Sequence, residues 1–337
     1  DEAQAIKNHT TQKYKAVCKV RSRVRFALTG TPVENRLGEL WSIFSFLMPG
    51  YLPPYKSFCS RFEKPIVQEE DQTAVRRLNQ LTGPFILRRM KSDVLKELPP
   101  KTENVYRIEL EEEQRKLYLA AVVDAREKLQ AAKPEDKMAV FAVLMRLREI
   151  CCDPRLIADN WEGGSAKLDA CAELVSSAVE GGHRILLFSQ FTSMLELLAK
   201  RLDAEGISHF TLQGSTPKPV RAELVRRFNG GEVSVFLISL RAGGTGLNLT
   251  AADIVIHYDP WWNVAAQNQA TDRAYRIGQQ NPVQVYKLIA QDTIEEKIVE
   301  LQQAKQSLAD TVTGTADGAI LSMRPDELLQ LLEGSEP

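Results

Sequence analysis

The chain has 337 residues, a length that suggests about two domains, and 44% of them are apolar, enough for real cores. Lys and Arg number 43 against 44 Asp and Glu, a formal charge of −1; this excludes a tail-like polyanion binder and leaves room for a local basic face. No apolar stretch approaches the roughly 18 residues of a membrane-spanning helix, no signal peptide is expected, and none of the five cysteines forms a C-x-x-C pair.

Along residues 1–35 a helical pattern alternates with a strand, Arg25 to Leu28, which leads into the turn Thr29-Gly30-Thr31-Pro32. Residues 37–82 read as helices interrupted by Pro49-Gly50 and Pro53-Pro54. Val105 to Leu110 reads as a strand. Residues 111–150 are strongly helical, with Leu117, Ala120 and Ala121, then Val140, Leu144 and Leu147, at helical spacing. Cys151 and Cys152 are read as reduced thiols packed near a helix end. His9, His183, His209 and His257 are scattered without ligand spacing, so no zinc site is expected.

Beyond the loop Glu162-Gly163-Gly164-Ser165 the pattern alternates strictly. It gives helix 167–179, strand 184–189, helix 192–204, strand 208–212, helix 217–228 and strand 233–239. Strand 253–258, helix 264–275, strand 283–290 and helix 292–309 follow. Such alternation predicts a doubly wound parallel sheet. Gly314 to Gly318 reads as a flexible joint to a short helix, Pro325 to Leu332, either a tail element or one that docks on the sheet domain.

Three blocks carry chemistry. The apolar run Val233 to Ile238 empties into Ser239-Leu240-Arg241-Ala242-Gly243-Gly244-Thr245-Gly246, where backbone N–H groups can form an anion nest. A purely structural tight turn is the competing reading, and Arg241 stands open between a phosphate contact and a surface salt bridge. Asp253 to Tyr258 is a second buried strand, followed by Asp259-Pro260-Trp261-Trp262-Asn263. Adjacent tryptophans cannot both bury easily, so the pair points to a nucleic-acid track on which an indole can stack; the plainer alternative puts Trp261 in the core and leaves Trp262 as amphipathic surface. In Gln269 to Gln279, Arg273 and Arg276 share one helical face. Guanidinium groups so held can neutralise a phosphoryl group in transfer, against the plainer reading of surface i, i+3 salt bridges.

These blocks, in this order, resemble the Swi/Snf-type DNA-dependent ATPases of helicase superfamily two. Asp1-Glu2-Ala3-Gln4 with Ile6-Lys7-Asn8 looks like the family's Walker B box in a bacterial form, and Leu28 to Asn35 like the motif that couples ATP to DNA. Phe85 to Val94 with Leu98-Pro99-Pro100-Lys101 resembles the linker region; Ile185 to Phe191 and Gln213-Gly214-Ser215-Thr216 resemble second-lobe motifs. The likeness covers roughly residues 1–310. Gln4 stands where many members have His, Val264 where Pro often follows Trp-Trp-Asn, and Tyr275 where His is usual, which removes a titratable group.

The resemblance implies roles. Asp1 and Glu2 would hold the Mg2+ water shell and activate the attacking water; the plainer alternative is that, as bare terminal residues, they are disordered. Arg273 and Arg276 would serve as arginine fingers, with Gly243, Gly244, Gly246 and Gln269 at ATP and Thr29, Gly30 and Thr31 in coupling. Ser189, Gln190, Gly214, Ser215, Thr216, Thr245, Trp262 and Asn263 would face DNA. Arg88, Arg89 and Lys91 form a basic cluster whose plain alternative is a solvated linker. The implied fold is an α/β, RecA-like second motor lobe with helical protrusions and a remnant of a first lobe. Residues 1–90 would be that remnant with a helical protrusion, 91–160 the linker and second protrusion, 161–310 the second lobe (helicase C-terminal), and 311–337 a flexible tail with a short helix.

No Gly-Lys dipeptide occurs, so no Walker A loop G-x-x-x-x-G-K-[ST] is present. The expectation is therefore the C-terminal part of a longer intracellular enzyme, cytoplasmic in a bacterium and nuclear in a eukaryote. It would use ATP and Mg2+, track along double-stranded DNA regardless of sequence, act on some DNA-bound protein, and be inactive as a fragment. The alternatives are a strand-separating DNA or RNA helicase and a non-catalytic DNA-binding module.

Overall fold

A computed structural model describes residues 1–29, 37–69, 71–87, 89, 98–133, 136–243, 246–302 and 325–333. They fall into two compact units, Asp1–Val94 with Gln302–Ala319, and Leu95–Leu301 with Ile320–Pro337.

In the first unit, α1 is Gln12–Cys18, α2 Leu37–Leu47, α3 Tyr55–Phe58, α4 Lys64–Gln68 and α5 Gln72–Thr82. A π-helical turn, Cys59–Glu63, joins α3 to α4 just ahead of Pro65. Proline has no N–H for the carbonyl one turn back, and the extra residue in the turn relieves the ring clash. Leu40, Phe44, Phe58, Phe62 and Leu78 form the core. The strand expected at Arg25 to Leu28 does not form. Among the described residues this segment has no neighbouring strand, and it meets the start of the chain only through Ala3 N–H to Leu28 O at 3.0 Å.

The second unit is a six-stranded, wholly parallel sheet in the order β1-β6-β5-β2-β4-β3. The strands are β1 Lys101–Ile108, β2 Ile185–Ser189, β3 His209–Leu212, β4 Val235–Ser239, β5 Ile254–His257 and β6 Val283–Ala290. Its helices are α6 Glu112–Ala131, α7 Lys137–Cys152, α8 Ala166–Glu180, α9 Thr192–Ala204, α10 Lys218–Asn229, α11 Leu240–Gly243, α12 Val264–Thr271, α13 at residues 294–302, and α14 Pro325–Glu333. The expected α/β doubly wound fold is thus present.

The period-2 geometry of a strand explains the layers. Ile185 and Leu187 pack with α8 and α9 on one face, while Leu186 and Phe188 pack on the other with Phe228 of α10. Both faces are covered, so central strands read as continuous apolar runs. Each such side chain contributes about 1.5–3 kcal/mol. A third cluster lies between α6, α7, α13 and α14, with Tyr118, Leu144, Leu147, Ile294, Leu328 and Leu332 inside. The C-terminal helix therefore docks, and Arg126 Nη2 donates to Leu332 O at 2.7 Å. The buried pair Lys167–Glu295 ties α8 to α13, and Tyr118 Oη accepts the Ile294 N–H at 2.7 Å.

β1 begins four residues earlier than the sequence suggests. Its polar start carries no strand pattern because β1 is an edge, exposed at all but Ile108, and is held by an eight-residue register with β6. Burial pushes the Glu103 carboxyl up, but hydrogen bonds from Lys101 and Lys287 outweigh it and hold the group down at about 2.

His257, at the end of β5, is fully buried with Nε2 2.9 Å from Thr271 Oγ1. Burial, then Lys287 and Lys101, depress its pKa to about 3. A depressed folded-state value means the unfolded chain takes the proton first, so stability is intact above about pH 6.5 and falls as pH drops toward 3. Between pH 8 and 5 the group is expected to remove about 2 kcal/mol. Urea titrations of the native chain and of His257→Gln across that range check this; the variant should lose most of the slope.

Candidate functional site

The chain leaves β2 toward β3 and β4 on one side, then crosses to β5 and β6 on the other. The carboxyl ends of β4, β2 and β5 therefore lie side by side at a topological switch point, where α/β folds place ligands. Ser189-Gln190, residues 240–243 and residues 259–263 extend from these ends, and Gln213–Thr216 extends from β3.

One buried guanidinium organises this edge. Arg148 of α7 has no solvent exposure. Its Nη1 donates to Gln190 Oε1 at 2.9 Å, and its Nη2 to Pro260 O at 2.6 Å and Asp259 Oδ1 at 3.3 Å. Asp259 also accepts the Ser189 hydroxyl and the Gln190 N–H. Burial pushes the Asp259 carboxyl up; Arg148, the Ser189 hydroxyl and the Gln190 amide pull back against it. The guanidinium lies 4.6 Å from the Trp262 ring centroid and 5.7 Å from that of Trp261. Breaking a buried pair from one side leaves an uncompensated charge, at about 3–5 kcal/mol.

Two expectations are corrected here. Trp262 is the more buried tryptophan, 6% exposed and packed in the α6–α7 cluster against Phe141, whereas Trp261 is half-buried. The apolar wall of α7 and the charge of Arg148 together draw the indole inward. Ser189 is likewise fully buried, its hydroxyl committed to Asp259, so it cannot reach a phosphate. Gln190 remains half-exposed beside it. Asn263 caps α12, its Oδ1 accepting the Ala266 N–H at 2.6 Å.

Gly214 and Ser215 are exposed and Thr216 half-exposed. Arg221 fastens their loop from α10, donating to Thr216 O and Gly214 O at 2.7 Å each. After β4 the expected glycine-rich turn is in part helical: Leu240–Gly243 coil into α11, with Ser239 Oγ accepting the Ala242 N–H at 3.3 Å. Gly246 is exposed with open space around its α-carbon. Gly244 and Thr245 lie outside the described residues.

The arginine pair does not share a helix face. α12 ends at Thr271, and residues 272–278 form successive turns, including Arg273 N–H to Ala270 O and Tyr275 N–H to Thr271 O, both at 3.1 Å. The turns are fastened to the glycine-rich segment: Leu249 N–H donates to Arg273 O at 3.0 Å, and Arg276 Nη1 donates to Leu247 O at 3.1 Å. Gln279 braces the turn with Nε2 donating to Ala252 O at 2.7 Å. Arg273 is buried, Arg276 half-buried, and Gln269 half-exposed on α12.

In the first unit, Asp1 and Glu2 are exposed, and Glu2 adopts a left-handed backbone at φ 55°. Thr29 Oγ1 donates to Gln4 Oε1 at 2.8 Å, and Gln4 Nε2 bonds the Glu2 carboxylate, so the acidic box and the start of the coupling motif form one network. Gly30, Thr31, Arg88 and Lys91 lie outside the described residues; Arg89 is exposed.

Sequence reasoning missed Arg148, Asp259 and Arg221. A signal existed for the first: an arginine at the spacing of Leu144, Leu147 and Cys151 stands on an apolar helix face, where only a partnered charge survives.

Known proteins resemble this chain. Residues 1–156 match the family model described as SNF2-related domain, and residues 166–278 match the helicase conserved C-terminal domain. An uncharacterized ATP-dependent helicase of Mycoplasma genitalium is 40% identical over 99% of this chain and 32% of its own length. A putative ATP-dependent helicase/translocase of Bacillus subtilis is 41% identical over 98% of this chain and 37% of its own. The chain thus spans about a third of the length of the curated relatives it matches. The Sulfolobus solfataricus SWI2/SNF2 ATPase core in complex with dsDNA is 36% identical, with a TM-score of 0.59 over 97% of this chain and 70% of that one.

Trp262→Ala is expected to destabilise the second unit by about 3–5 kcal/mol, as for other buried aromatics, and Trp261→Ala by less. Denaturant midpoints of the two variants check the order.

Proposed function

The chain belongs to the SWI2/SNF2 ATPase family, and from that premise we propose that it is the C-terminal part of an ATP-dependent translocase on double-stranded DNA. What carries the proposal is the join between Arg273, Arg276 and residues 247–249. The Arg276 side chain and the Arg273 backbone are each fixed by a hydrogen bond to the segment that follows the glycine-rich turn. A rigid cation at a developing phosphoryl charge requires no reorganisation during reaction.

In the full-length protein, Arg276 and Arg273 stabilise the triphosphate in transfer, Gly243, Gly244 and Gly246 let backbone approach the nucleotide, and Gln269 borders it. The exposed carboxylates of Asp1 and Glu2 are hard oxygen donors of the kind Mg2+ takes. Bound with ATP, Mg2+ neutralises charge on the transferring group. Glu2 orients the attacking water, and the Thr29–Gln4–Glu2 network carries its position to the coupling motif, where Gly30 and Thr31 continue the path.

Gln190, Gly214, Ser215, Thr216, Thr245 and Asn263 supply amide, hydroxyl and backbone donors to phosphates of one strand. Trp262 and Ser189 act beneath them by fixing the loops. Donors of this kind position a duplex without reading bases, and the solved Sulfolobus solfataricus relative is in complex with dsDNA. A DNA-bound protein is the substrate that translocation would act on.

In the full-length protein, Arg276→Ala is expected to lower DNA-stimulated kcat by about 10³-fold or more while duplex affinity stays within a fewfold. Steady-state ATPase and DNA titration check this; a tenfold loss of affinity with kcat preserved would reassign the arginine to DNA. The 337-residue chain alone, without a Walker A loop, is expected to show no DNA-stimulated turnover, and turnover at a few per cent of a typical motor would place the nucleotide elsewhere.

A further inference from the structure

From Ala3 to Val33 the sequence contains no carboxylate, in a chain with 44 of them, yet it contains Lys7, Lys13, Lys15, Lys19, Arg21, Arg23 and Arg25. Two of these cations are engaged. Lys7 pairs with Glu39 at 3.7 Å. Arg25 donates Nη1 to Phe46 O at 2.6 Å, Nη2 to Val20 O at 3.0 Å and Nε to Ser22 Oγ at 3.2 Å, with its guanidinium over the Phe46 ring. The other five, Lys13, Lys15, Lys19, Arg21 and Arg23, are exposed, and none has an ion pair among the described residues.

The ridge they form is built rather than loose. Asn8 Oδ1 accepts the Thr10 N–H and hydroxyl, and the Thr11 hydroxyl caps α1 by accepting the Tyr14 N–H. At the far end, Arg25 fastens the chain to the α2 backbone two residues past Arg23. Lys15 and Lys19 complement the negative end of the α1 dipole, but Lys13 sits in its first turn, the wrong end for a cation. Lys15 and Lys19 also repel each other at i, i+4 spacing. Fold stability therefore does not account for the five charges together.

We propose that this ridge is a second duplex contact, in which Lys13, Lys15, Lys19, Arg21 and Arg23 bind the phosphate backbone of double-stranded DNA independently of the donors at the carboxyl edge of the sheet. It rests on DNA being the track, as proposed above. Charge complementarity selects the occupant: five exposed cations without intervening carboxylates match a continuous line of phosphates, each neutralised phosphate releasing about one counterion. The contact carries no sequence information and adds grip that a single set of amide and hydroxyl donors lacks.

The test is duplex binding by the full chain across a salt series, read by fluorescence anisotropy on two unrelated sequences. Replacing the five cations with Gln should flatten the slope of log affinity against log salt by roughly three to five and weaken binding at least tenfold, equally on both sequences. Exchanging Lys for Arg and Arg for Lys should restore it. If the quintuple variant fails to fold, Lys13→Gln with Lys15→Gln, and Arg21→Gln with Arg23→Gln, should each remove about two from the slope. An unchanged slope in a wild-type chain that binds duplex overturns the ridge and leaves the motor reading standing. No duplex binding by the wild type overturns both. Displacement of duplex by polyglutamate at equal charge would make the ridge a dock for an acidic protein and overturn the assignment.

Discussion

The second unit turns on a single buried guanidinium. Arg148 comes from a helix outside the sheet, yet it bonds Gln190 after β2 and Asp259 and Pro260 after β5, and it lies against both tryptophans. The remaining contact between the helices that precede α8 and this edge is mostly apolar and so non-directional, with the Tyr258 hydroxyl donating to Cys152 O at 2.9 Å beside it. A planar fork with fixed donors sets the angles as well as the affinity. Asp259 extends the same constraint to Ser189 and the Gln190 amide, so a cation, an anion and two loop ends settle together.

This arrangement separates the side chains that reach solvent from those that hold them in place. Gln190 and the loop Gln213–Thr216 reach solvent; Ser189, Asp259, Trp262 and Arg148 lie behind them. The arginine turn follows the same division, since Leu247, Leu249 and Gln279 hold backbone and side chain in place while Arg276 stays partly accessible. Lys167 with Glu295, and Tyr118 with the start of α13, repeat the device on the far side of the same helical layer. In each case a buried polar contact fixes a geometry that packing alone would leave free to slide.

Much of this was legible in the sequence. The central strands announce themselves as apolar runs because both faces are covered, and their alternation with amphipathic helices yields the parallel sheet. Edge and turn features were less legible. β1 is polar because its side chains stay in water, and its eight-residue ladder with β6 appears in no local pattern. The helix expected through both arginines ends at Thr271, before either, because tertiary bonds to residues 247–249 override helical propensity. The tryptophans were assigned in the wrong order because local sequence cannot show that a cation from residue 148 waits beneath the second ring. Each miss is a long-range polar contact, the class that single-sequence periodicity does not encode.

The most direct test of this organisation is a double-mutant cycle on Arg148 and Asp259, with urea unfolding of Arg148→Met, Asp259→Leu and the pair. If the buried ion pair fixes the edge, each single change removes about 3–5 kcal/mol, and the double variant recovers about 2–3 kcal/mol relative to the sum. Simple additivity would show that the two charges act apart and that packing alone holds the helical layer to the sheet.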